Sequence, residues 1–200
     1  MNTFRTIIGS YFFGSKVWPF DGLLLPELAR LKTLQGAEFV KQLKSIAARK
    51  EFHPLEAGSN IYTVGGENDA DYPNLLSAAR KAVEHGYKVY LLPNPHDFRT
   101  ADYILERRNV YKLFDLKNIT GKSIVGSRLL ESVGQANRVL LNMAIDYNPS
   151  SLARAIKMYF EQSKDAKEVL IFRGKKMLSV TRDITLSSHY YNTFMRRYIR

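Results

Sequence analysis

Residues 138–143, RVLLNM, form a nearly continuous apolar run of strand length. A strand that is apolar on both faces must be covered on both faces, which places it inside a sheet flanked by helices rather than in a half-exposed antiparallel one. The neighbouring segments supply those layers. Residues 72–83 carry Tyr72, Leu75, Leu76, Ala79, Ala82 and Val83 on one helical face, with Asp69 and Asp71 as capping oxygens, Pro73 in the first turn and Gly86 as the stop. Strands are expected at IYTV (61–64), at YKVYLL (87–92) and twice within ADYILERRNVYKLFDLKN (101–118). A helix is expected over 123–137 with Ile124, Leu129, Leu130 and Val133 inward, a second started by Pro149 and Ser150, and then a hairpin around RGKK (173–176). From Pro73 onward the order is helix, three strands, helix, strand, helix, hairpin: an α/β fold.

Before this core, Leu28, Leu31, Leu34, Phe39, Val40, Leu43 and Ile46 recur at helical spacing, which predicts one long helix or two shorter ones with Gly36 as the weak point, and residues 51–60 read as a linker. The expected organisation is an arm and helical extension over 1–60, an α/β domain over 61–182 and a basic aromatic tail over 183–200.

The chain of 200 residues is 45% hydrophobic, enough for a substantial core, and it has no cysteine, which excludes disulfides, thiolate metal sites and a thiol nucleophile. No run approaches the roughly 18 apolar residues of a membrane span, and the N-terminal pattern is not that of a signal peptide, so a cytoplasmic location is expected. Lys and Arg exceed Asp and Glu by 11, with both ends basic and residues 51–100 mildly acidic. Such a surplus favours polyanionic partners, nucleic acid first among them.

Chemistry concentrates in the 101–118 segment. A two-residue turn at Arg108-Asn109 sets Arg107 opposite Val110 and, by counting back, Asp102 opposite Asp115, with Cβ atoms about 4.5–5.5 Å apart. Alternation puts Lys117 on the same face as Asp115, while Phe114 and Leu116 point the other way. Two carboxylates this close repel unless a proton or cation lies between them. Oxygen ligands suit Mg²⁺ or Mn²⁺, which can polarise a phosphate and activate water, and Lys117 can orient that water or neutralise developing charge. A turn longer by one residue separates the faces and dissolves the site.

At these residues the sequence resembles the PD-(D/E)xK nuclease superfamily, and more particularly the nuclease domain at the C-terminus of the CdiA contact-dependent growth-inhibition toxins. The resemblance runs over residues 67–181 through EHGYKVYLLP, ADYILERRNVYKLFDLKN, ITGKSIVGS and VGQANRVLLNM. It implies a restriction-endonuclease-like αβββαβ core, with Asp102 and Asp115 as metal ligands, Lys117 as the catalytic lysine, and Lys122, Ser123 and Gln135 near the substrate. Zn²⁺ is a further metal such sites accept. It also implies tRNA, another structured RNA or DNA as substrate, and an immunity protein as partner. Ala101 stands where the family has proline, and Asp115 replaces the commoner glutamate.

Arg107, Arg108 and Arg128 are candidates to steer nucleic acid, and Glu84, at a helix end, is a candidate third carboxylate. His53, His85, His96 and His189 lack ligand spacing, although His96-Asp97 precedes the motif and is a substrate-contact candidate. TGKS at 120–123 lacks the first glycine of a phosphate loop, which excludes a nucleotide hydrolase. Tyr190, Tyr191, Phe194 and Tyr198, with Arg196, Arg197 and Arg200, are read either as a base-stacking tail or as a helix packed on the domain. Two rival functions remain open: a metal-independent ribonuclease using His, Lys or Ser, and a non-catalytic nucleic-acid-binding module.

Overall fold

The computed structural model describes residues 24–65, 70–93, 100–121 and 124–199. In chain order the elements are α1 (Leu24–Arg30), α2 (Gly36–Ala47), β1 (His53–Pro54), β2 (Ile61–Thr63), α3 (Tyr72–Glu84), β3 (Lys88–Leu91), β4 (Tyr103–Arg107), β5 (Val110–Ile119), α4 (Val125–Glu131), β6 (Arg138–Met143), α5 (Pro149–Gln162), β7 (Glu168–Arg173), β8 (Lys176–Thr181), α6 (Arg182–Leu186) and α7 (Tyr190–Ile199). The strands form one eight-stranded mixed sheet in sequential order. Pairing is parallel for β2/β3, β5/β6 and β6/β7, and antiparallel elsewhere. The chain is therefore α/β, with the expected helix–strand–strand–strand–helix–strand order from α3 to β6.

β6 is covered on both faces. Val139, Leu141 and Met143 join the cluster under α4, α5 and α7, while Leu140 joins the cluster under α3. Each such side chain contributes about 1.5–3 kcal/mol by leaving water. Opposite α3, the sheet carries two separate apolar patches. One joins α1 and α2 to Tyr90, Leu92, Ile104 and Leu113; the other joins α4, α5 and α7 to Ile119, Val139 and Ile171. On β5, Leu113 belongs to the first patch and Ile119 to the second. Asp115 and Lys117 are the same-face residues between them, so the charged groups stand in the gap between two hydrophobic layers.

Several local expectations change. Of the two arrangements expected over 28–46, the chain forms two helices, broken at residues 31–35, and Gly36 has φ +57. The 51–60 linker contains β1, which pairs with β2 and extends the sheet. α4 spans only seven residues, so Val125 and Leu129, one turn apart, face inward while Ile124, Leu130 and Val133 are exposed. α5 is capped by Asn148, whose side chain accepts from Ser151 N at 3.0 Å. Of the two readings of the tail, the packed helix holds for three of its four rings: Tyr190, Phe194 and Tyr198 recur at i, i+4 and i+8 on α7 and are buried in the core cluster shared with α5, because an aromatic stripe gains more from core burial than from water. No helix of the described residues is long and apolar enough to cross a membrane.

Candidate metal and phosphate site

The β4/β5 hairpin places the acids. Arg108 and Asn109 have φ of 52 and 64, the doubly left-handed two-residue turn whose twist matches paired strands, and Glu106 Oε1 accepts from Asn109 N at 2.7 Å. That turn fixes Arg107 opposite Val110 and carries the ladder to Tyr103 opposite Phe114. Regular pairing stops there, one step short of the expected Asp102/Asp115 rung. Asp102 bends away: its N donates to Phe114 O at 3.0 Å, its O accepts from Leu92 N at 2.9 Å, and its Oδ2 accepts from Leu116 N at 2.6 Å. A carboxylate oxygen thus takes the place that the next β4 carbonyl would have filled. Thr100 Oγ1 donates to Pro93 O at 2.7 Å, tying β3 to the approach to Asp102.

Both acids are buried, Asp102 at 9% exposure and Asp115 at 2%. Lys117 Nζ lies 2.8 Å from Asp115 Oδ2, yet the approach is off hydrogen-bond geometry, so that buried oxygen has a charged neighbour and no aligned donor. Burial first, and then the Asp115 charge, push the Asp102 carboxyl up to about 8, against the pull of the Leu116 N–H and of Lys117. Burial likewise raises the Asp115 carboxyl, opposed by Lys117. Low dielectric and like charge disfavour a doubly ionised pair, so without a cation the pair retains a proton.

The pair opens on a cavity of about 200 Å³ whose walls include Asp71, Asn74 and Leu75 from the start of α3, Asn118 from β5, Arg128 from α4, and Gln135. Gln135 also lines a larger cavity of about 700 Å³ beneath α1 and α2. Arg128 and Gln135 are thus brought to the acids, although Arg128 Nη1 is paired with Glu131 Oε2 at 2.8 Å and Gln135 Nε2 donates to Glu131 O at 2.7 Å. Three expected contributors are not. Arg107 and Arg108 sit at the hairpin tip, about 17 Å along the strand from Asp102, and the Arg107 guanidinium lies 5.4 Å from the Tyr87 ring centre. Glu84 is exposed in the last turn of α3. Because the first turn of that helix faces the cavity, a glutamate about 18 Å further along the axis cannot be a third carboxylate. Lys122, Ser123 and the His96-Asp97 pair lie outside the described residues, as does Asp69.

Two carboxylates offer oxygen only, and among the described residues no third His, Cys, Asp or Glu completes a cluster with them. Mg²⁺ and Mn²⁺ fit this set, since Mg²⁺ is commonly held by one or two carboxylates with water and substrate phosphate completing the shell. Zn²⁺ fits less well, because no histidine lines the cavity among the described residues and the chain has no cysteine. Asn118, Asn142 and Asn74 carried no expectation, and Asp71, expected as a capping oxygen, stands at the N-cap of α3 without a side-chain cap hydrogen bond and lines the cavity instead. Asn142 left one trace, a lone amide in an otherwise apolar run, since buried amides require partners.

No protein-family model matches the chain, and no curated protein matches it. Among solved structures, the CdiA-CT/CdiI toxin and immunity complex from Burkholderia pseudomallei is similar to it, at 13% identity over 64% of this chain and 92% of that one, with a TM-score of 0.38. That likeness is too low to carry fold or function, and the geometry stands alone.

Proposed function

We propose that the chain is a metal-dependent nuclease that hydrolyses phosphodiester bonds in RNA or DNA. The observation that supports this is the convergence of two buried carboxylates and one lysine amine on a polar cavity, at an energetic cost that packing alone does not explain. Asp102 and Asp115 would hold one Mg²⁺ or Mn²⁺. When bound, the cation neutralises the carboxylate pair and supplies Lewis-acid stabilisation for attack on phosphorus.

The protein side chains have separable roles. Asp102 fixes the local backbone through Leu116 N and keeps its other oxygen for the metal. Asp115 presents an oxygen with no aligned donor. Lys117, whose ammonium lies 2.8 Å from Asp115, donates to a nonbridging phosphate oxygen and stabilises charge that builds there. Arg128 and Gln135 meet the phosphate backbone at the mouth, and the overall surplus of 11 basic residues draws the polyanion in. Among the described residues the cavity is lined by two carboxylates and no histidine, a set that favours metal-assisted over imidazole-based hydrolysis. The αβββαβ order, with the acids at the second and third strands, supports a restriction-endonuclease-like core. A toxin-like role, tRNA as target and an immunity protein as partner rest on the resemblance of residues 67–181.

The test is incubation of purified protein with total tRNA and with plasmid DNA in Mg²⁺, Mn²⁺ or EDTA. Cleavage is expected with either metal and is expected to vanish in EDTA and in folded Asp115→Ala. Undiminished cutting by Asp115→Ala overturns the proposal.

A further inference from the structure

The cavity beside the acids wraps around a strand edge. β4 begins at Tyr103, whereas β5 runs on to Ile119, so beyond Leu116 no strand of the described residues pairs with the β4-facing edge of β5. Asn118 lines the cavity at that edge, on the opposite sheet face from Asp115 and Lys117 by strand alternation. It lies in register with Asn142 on β6. Asn142 Nδ2 donates to Asn118 Oδ1 at 2.8 Å, and Asn142 Oδ1 accepts from Lys81 Nζ of α3 at 2.6 Å.

The direction of an amide chain is not fixed by its shape, because each amide exchanges oxygen and nitrogen by a half-turn. It is fixed by an end that cannot reverse. Lys81 is that end: an ammonium has donors and no acceptor, so it holds the Asn142 oxygen toward α3. The Asn142 NH₂ must then face Asn118, and Asn142, at 7% exposure, has no water to make a flip cheap. Asn118 consequently turns its oxygen toward β6 and its NH₂ away, toward the β4-facing edge of β5. That NH₂ donates to no acceptor among the described residues, and the positive charge at the far end of the chain polarises it outward.

We propose that Asn118 contacts the substrate, its NH₂ donating to a nonbridging phosphate oxygen in the cavity, and that Asn142 and Lys81 are positioning residues that set the direction of that amide. The identity of the anion rests on the phosphodiester reading above; the presence of an anion-facing donor does not.

The experiment is a titration of ¹⁵N-labelled, metal-free protein with inorganic phosphate, following the Asn118 side-chain NH₂ resonances assigned with Asn118→Ala. A saturable shift of that pair is expected in the unmutated chain. Lys81→Met should weaken the phosphate affinity about five- to tenfold at an unchanged melting temperature, and Lys81→Arg, also donor-only, should restore it. An Asn118 pair that stays still while other cavity resonances move overturns the proposal, as does wild-type affinity in folded Lys81→Met. The titration of the unmutated chain stands even if Lys81→Met does not fold. Phosphate binding needs no turnover, so the two proposals fail separately. A chain that binds phosphate through Asn118 and cuts nothing removes the nuclease, and one whose Asn118→Ala variant cuts with unchanged kcat and KM removes this contact.

Discussion

Replacing Asp102 with asparagine removes one charge of the buried pair and retains the shape and the acceptor for Leu116 N. The Asp102 carboxyl is raised from 3.8 to about 8, so between those limits the folded chain holds a proton that the unfolded chain has released. Stability of the metal-free protein therefore falls as pH rises through this window, by up to about 1.4 kcal/mol per unit. Asp102→Asn lacks that dependence, and groups elsewhere cancel in the difference between variant and parent. Its advantage should grow between pH 5 and pH 8, with a ceiling of about 4 kcal/mol over the interval. Half of that, about 2 kcal/mol, moves the midpoint by roughly 4–8 °C in a chain of this length. The assay is a pair of thermal melts in EDTA at each pH, with urea unfolding at the two extremes. A difference that is flat with pH, or that shrinks as pH rises, would refute the buried pair as the source of strain. A gain in stability with a loss of cutting is the signature of a site kept for function rather than for folding.

Four other outcomes follow from the same geometry. Lys117→Met strands the Asp115 carboxylate in a buried site and should cost about 3 kcal/mol in urea unfolding at pH 7, with loss of cleavage. Mn²⁺ affinity measured by calorimetry should rise with pH up to about 8, with proton release on binding, because the raised Asp102 carboxyl must ionise first. Arg108→Asn combined with Asn109→Gly places the preferred residues in the left-handed turn and should add about 0.5–1 kcal/mol of stability without altering cutting. Phe194→Ala should cost about 3–5 kcal/mol in thermal unfolding, because that ring is buried in the core cluster with α5 rather than held out for a base.

What could be read from the residues depended on whether the signal was local. The Arg108-Asn109 turn is two residues long and the flanking alternation is unbroken, so the hairpin register and the shared face of Asp115 and Lys117 were legible. The end of β4 was not. At Asp102 the regular ladder breaks: its backbone still bonds Phe114 and Leu92 while its side chain takes Leu116 N, a substitution of carboxylate for carbonyl that no periodicity records. The double burial of β6 was visible in RVLLNM, but its partners were not, because parallel register depends on how the helices pack and not on a turn. The Lys81–Asn142–Asn118 chain joins residues 61 and 24 positions apart and so stayed hidden. Glu84 was misplaced for a related reason: the sequence identified its helix without showing which end meets the site.

Binding of Mn²⁺ to the metal-free chain, followed by electron paramagnetic resonance, tests most directly whether these two acids hold one ion. The account predicts one tightly held Mn²⁺ per wild-type chain and none in folded Asp102→Ala or Asp115→Ala. Equal uptake by wild type and both variants, or no uptake by wild type, would contradict it.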